Sequence, residues 1–300
     1  MSAGLRKTML EAVYRAVRRR VCSRRDAQRC LLVGRGTLRH VVTAWATRSP
    51  GTGVGTRPST GPHAVRISKG RGRALRHRIG CLAWAVGVMQ FFGTHIVVEA
   101  SWSRPYSWAH NNISDLGNAH CAMQSEPEPR YICSPEHGLM NASFVVLGAL
   151  LVVGVVLAGA LWRRGATAIV ARCLLACAGV GFVLAGLAPA DVHENQHVLG
   201  ALLIMAMGNI GLVLAGVGLA DDEPGPLRWV TSLLGATAIT SFGLFLSQRY
   251  LGLGMGGMER AAAFPLLAWA LFIGVRGLFH QGIRMQDAPP RRHAAQATRA

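Results

Sequence analysis

The chain has 300 residues, 51% hydrophobic and only 15% charged, where a soluble domain carries about a quarter charged residues. The net charge of +18 would ordinarily point to nucleic acid, but residues 1–78 hold nineteen Lys and Arg against two acids and so account for +17 of it. The remainder is nearly neutral and apolar in long blocks, which excludes a nucleic-acid-binding domain and makes the lipid bilayer the expected solvent.

Residues 1–78 contain no long apolar run. They read as a basic, disordered cytoplasmic tail, with Leu5 to Val21 able to form one amphipathic basic helix. Six apolar runs follow, each near the roughly 20 residues needed to cross a bilayer. They are Ile79–Val98, Ala142–Trp162, Ala168–Ala188, Val198–Ala220, Trp229–Ser247 and Ala261–Phe279. The expected architecture is all-α: a six-helix transmembrane domain over 79–280 and a C-terminal tail over 281–300.

Loop charge sets the expected orientation. With six spans, twenty-eight basic residues fall on one side and four on the other, namely Arg104, Arg130, Arg249 and Arg260. The positive-inside rule then puts both termini in the cytoplasm of a cell-membrane protein. Three polar stretches share the extracytoplasmic side: 101–140, 189–197 and 248–260. Cys121 and Cys133 lie in the first of these, where oxidising conditions favour a disulfide over a zinc site shared with His120 and His137.

Asn111-Asn112-Ile113-Ser114-Asp115-Leu116-Gly117 follows the first run, and Met140-Asn141-Ala142-Ser143-Phe144 opens the second. Pro189, Asp191, His197 and Gly200-Ala201 surround the start of the fourth, and Gly257-Met258-Glu259-Arg260 precedes the sixth. Together these resemble the multi-pass membrane family catalogued as domain of unknown function 998, over about residues 79–280. The resemblance implies the architecture derived above and no particular reaction. His193 and Glu194 do not match the family's pattern.

Those two residues belong to His193-Glu194-Asn195-Gln196-His197, an H-E-x-x-H sequence. On a helix it would put two imidazoles one turn apart with a carboxylate beside them, as zinc hydrolases require. His193 and His197 would be the metal ligands, with a third from Asp115, His110, His120 or Glu259. The competing reading is a capping box, with Asp191 as N-cap and Glu194 three residues on. Gly252 to Gly257 is glycine-rich but follows no strand, so it does not read as a phosphate loop.

These residues define the expected site, a polar pocket facing outward. Asn112, Ser114, Asn141, Asp191, Glu259 and Arg260 would line it and bind a small or lipidic ligand. Asp115 and His197 would serve as base or metal ligand if the protein is a hydrolase, and Arg260 would hold an anion in its planar fork. The alternative is a non-enzymatic transporter or structural membrane component, in which the same residues stabilise helix ends.

Overall fold

In hydrocarbon every backbone N–H and C=O must bond within the protein, and a helix satisfies them along one segment. The structure, a computed structural model, describes residues 62–125 and 129–286, with side chains for 72–125 and 129–279. Leu5 to Val21, most of the basic tail and most of the C-terminal tail lie outside the described residues.

Six helical spans are long and apolar enough to cross a membrane. Helix α1 runs Pro62–Ala100, α2 His137–Leu157 and α3 Ala166–Leu187. The fourth span is composite: α4 (Glu194–Leu202), a π-helical turn at Leu203–Met207, then α5 (Gly208–Gly218). Helix α6 runs Gly225–Leu246 and α7 Gly254–Gln286. Several helices overrun the apolar runs, because a helix continues while its backbone bonds close. Thus α1 already includes 62–78, and α7 starts seven residues before Ala261.

The spans form a closed ring. Each packs against its neighbour in sequence, and α7 returns to α1. Small residues set the close crossings, as expected where apolar contact with lipid offers no drive to associate. A Cβ on Gly181 of α3 would lie 2.6 Å from the Gly200 carbonyl oxygen of α4, and one on Gly200 would lie 2.8 Å from that of Gly181. Polar side chains join helices too. Gln90 of α1 accepts from the Ser143 hydroxyl of α2 (2.9 Å) and donates to the Ser143 carbonyl (3.1 Å). Asn209 of α5 donates to the Ala262 carbonyl of α7 (2.8 Å).

The two ends of the ring differ. At one, Arg172 donates to the Val155 carbonyl near the C-terminus of α2 (3.2 Å), and Arg228 to the Gly216 carbonyl near that of α5 (3.3 Å). Cations there offset the negative end of each helix dipole. The other end carries the long α1–α2 connection, the α3–α4 turn and the α6–α7 loop, and is called the motif end below.

The α1–α2 connection is built rather than loose. It contains a 3₁₀ turn at Ser114–Gly117 and an antiparallel pair, β1 (Ala122–Gln124) and β2 (Arg130–Ile132), with Met123 opposite Tyr131. A Cys121–Cys133 disulfide closes the base of this hairpin, with the two Cα atoms 4.2 Å apart.

Candidate functional site

The hairpin carries Arg130 back over the 3₁₀ turn. Its Nε donates to Asp115 Oδ2 (2.9 Å) and its Nη2 to Oδ1 (3.1 Å). The Asp115 carboxylate also accepts from the Asn112 amide (3.0 Å) and the Asn111 side chain (3.2 Å). Both charged side chains are nearly covered, at 4% and 11% exposed. Asp115 is therefore saturated by its own loop, an arrangement that suits structure better than proton transfer.

Arg260 does not meet Asp115 or His197. Its Nη1 donates to three backbone carbonyls, those of Trp108 (3.0 Å), Asn111 (2.8 Å) and Gly256 (2.8 Å), and its Nη2 to the Tyr106 hydroxyl. The guanidinium lies over the Trp108 ring at 4.9 Å and the Tyr106 ring at 5.5 Å. Burial pushes the Tyr106 hydroxyl well above the usual tyrosine value against the pull of Arg260. It stays protonated and donates to the Asn112 carbonyl (2.8 Å). The expected anion holder is thus a bolt between α7 and the loop. His95 is fully buried beneath it, 5.0 Å from the Trp108 ring, with no hydrogen bond to either ring nitrogen among the described residues.

The glycines before Arg260 have a steric purpose. The Ala109 carbonyl accepts from the amides of Gly256 (2.8 Å) and Gly257 (3.3 Å), which caps the start of α7. Gly254 adopts φ +73°, and a Cβ there would collide with Ala109, as one on Gly256 would with Asn111. The glycine-rich stretch lets a backbone approach, and that backbone is the protein's own.

Asp191 also departs from its expected role. Helix α4 begins at Glu194, and its N-cap is His193, which makes no side-chain cap bond. Residues 189–193 turn sharply, with the amides of Val192 and His193 both donating to the Pro189 carbonyl. That turn swings Asp191 to the α1–α2 loop, where it accepts from the amides of Ala119 (3.0 Å) and His120 (2.8 Å) and from His120 Nδ1 (2.9 Å). Burial alone would raise its carboxyl, but these donors hold it below the usual aspartate range. The capping box is therefore replaced by a loop-to-loop clasp.

The H-E-x-x-H residues do not assemble a zinc site. His197 Nδ1 bonds the Ala188 carbonyl (2.9 Å), while His193 is exposed at the helix start. Asp115 is paired with Arg130, His120 with Asp191, and Glu259 accepts from the Ile113 amide (2.6 Å). Among the described residues, no three His, Cys, Asp or Glu side chains are grouped to hold a metal. The donor set does not fit the ion, because its members are spread over separate hydrogen-bonded clasps.

Two of the spaces that open at the motif end share a wall. The first is a narrow apolar cavity inside the ring, about 40 Å³. Phe91, Phe144 and Phe182 form one wall, with centroids 5.5 to 6.4 Å apart, and Ile204 and Met205 of the π turn another. Its polar groups are few: Ser114, His197 and Glu259. A carbonyl only accepts, so the Ala188 bond fixes a proton on His197 Nδ1. The second space is a polar cleft of about 730 Å³ between the α1–α2 connection and the start of α4. Ser114 stands on the wall of both.

Some expected residues share these walls and others do not. Asn112, Ser114, Asp115 and Asp191 line the cleft, and Ser114, His197 and Glu259 the cavity. Asn141 instead donates to the Gly117 carbonyl (2.8 Å), tying α2 to the 3₁₀ turn. Sequence reasoning missed Arg130, Asn118 and Gln248, all on the cleft. Gln248 has φ +55°, a left-handed backbone costly for a side chain. Arg130 had one available signal: it was among only four basic residues on its side.

A ring of six apolar helices with a structured connection at one end defines a multi-pass membrane protein. The model of a family described as protein of unknown function (DUF998) matches residues 80–276, and the chain belongs to that family. No curated protein and no solved structure matches the chain.

Proposed function

We propose that the protein binds an amphipathic, lipid-like molecule at the motif end, with its polar head in the cleft and its apolar part against the phenylalanines. The carrying observation is Ser114, which walls both the apolar cavity and the polar cleft. Ligand sites are commonly apolar spaces with a few placed polar groups, and Ser114, His197 and Glu259 meet that description. In this reading the motif end faces outward from the cell membrane and both termini are cytoplasmic, following the loop charges. Residues 79–280 are the working domain, flanked by a basic N-terminal tail and a short C-terminal tail.

Native mass spectrometry of the protein released from membranes tests the binding. Wild type should retain lipid, and Ile204→Trp, which fills the cavity, should lose it while remaining folded by its helical circular dichroism. Equal retention by both proteins would sink the proposal.

Binding is favoured over hydrolysis because Asp115 is engaged by Arg130, Asn111 and Asn112. One observation supports turnover as a second reading: His197, held through Nδ1 by the Ala188 carbonyl, lines the cavity together with Ser114. Loss of lipid-ester cleavage in His197→Ala, with lipid retention intact, is the result that reading requires. A transporter role shares the same site and would show as vesicle uptake blocked by Ile204→Trp.

A further inference from the structure

The cleft's own chemistry restricts which head it takes. Resting on the proposed binding of an amphipathic ligand, we infer that the cleft selects a head that donates hydrogen bonds, a hydroxyl or ammonium group, and rejects a head offering only acceptors, such as a phosphate monoester.

Charge is the first reason. Among the described residues Arg130 is the one cation on the cleft wall, and it spends its fork on Asp115. The other charged groups there are Asp191 and Glu194, both acidic. A bare anion would meet the Glu194 carboxylate and no cation that is not already engaged, whereas an ammonium would meet an opposite charge at Glu194, Asp191 being already clasped by Ala119 and His120.

Hydrogen-bond polarity is the second, independent reason. Asn118 is 8% exposed and lines the cleft, yet no described residue donates to its Oδ1. Asn112 Oδ1, on the same wall, is likewise buried without a donor. Buried acceptors without donors are costly, so a ligand that supplies O–H or N–H groups gains where one carrying only oxygens does not. Gln124 and Gln248 add further amides to the wall. The Ser114 hydroxyl, on the wall of both spaces, can also accept, which extends the same preference to the waist of the ligand.

The test uses the full-length protein in nanodiscs of mixed composition, with retained lipids identified by native mass spectrometry. The mixture holds a glycosyl diacylglycerol, a phosphatidylethanolamine, a phosphatidylcholine and a phosphatidate, all with the same acyl chains. The first two should be enriched over the last two by about tenfold, the scale of one buried hydrogen bond. Preference for the glycolipid assigns hydroxyl donors, and preference for the ethanolamine lipid, reduced in Glu194→Gln, assigns an ammonium. Asn118→Leu should lower either preference severalfold. If that variant does not fold, the wild-type ranking still decides. Phosphatidate retained as well as or better than the donor lipids overturns the inference while leaving the binding site standing. No retention of any lipid, unchanged by Ile204→Trp, overturns the binding proposal and this inference together.

Discussion

Arg130 grips Asp115 in a two-toothed ion pair, Nε to Oδ2 at 2.9 Å and Nη2 to Oδ1 at 3.1 Å, and this pair holds the hairpin over the 3₁₀ turn. Removing one partner of a covered pair strands the other charge, which costs about 3–5 kcal/mol. Asp115→Asn and Arg130→Met should each lower the melting temperature of the detergent-solubilised protein sharply. The double variant should lose less than the two losses added together. Additive losses would show that the pair carries no coupling.

The Asp191 clasp carries a pH dependence whose sign follows from its partners. Its folded carboxyl titrates below the ordinary aspartate value because two amides and His120 donate to the ionised form. The clasp therefore contributes fully above roughly pH 4 and is lost as pH falls through the lower folded value. Protection of the Ala119 and His120 amides from hydrogen exchange, relative to the intrinsic rate at each pH, should be high at neutral pH and fall only in acid. In Asp191→Asn protection should be low throughout, and a pH-independent wild-type protection contradicts the clasp.

Twelve positions separate Cys121 from Cys133, and a cross-link of that span contributes about 3 kcal/mol by the chain-entropy model. The bond closes the hairpin that positions Arg130, so reduction should loosen both at once. Thiol labelling of the two cysteines should need prior reduction, and Cys121→Ser/Cys133→Ser should melt lower than wild type. Ready labelling of unreduced protein would count against it.

The crossing of α3 and α4 depends on two facing glycines. A methyl group on Gly181 would press on the Gly200 carbonyl, and overpacking of this kind costs about 1–3 kcal/mol. Gly181→Ala should lower thermal stability, while Gly93→Ala, which meets nothing within 4 Å, should not. Equal behaviour of the two variants would mean the crossing tolerates separation.

Hydropathy and composition by themselves determined that this is a six-span helical membrane protein, because a run of apolar residues long enough to cross lipid has one backbone solution. The resemblance carried by NNISDLG and its companions agreed with the family match. Sequence also drew attention to Asp115, Asp191, His197, Glu259 and Arg260, since polar groups beside long apolar runs stand out. What it could not supply was their partners. Asp191 looked like an N-cap because Glu194 lies three residues on, and His193 and His197 looked like ligands because they lie one turn apart; both are local spacings. The tertiary structure decided otherwise through pairings across long stretches of chain: Asp191 with Ala119 and His120, Glu259 with Ile113, and Arg260 with Trp108 and Asn111. Hydrogen bonds go to whichever donor the packed loops bring within reach, and at the motif end the closure of the helical ring sets that distance.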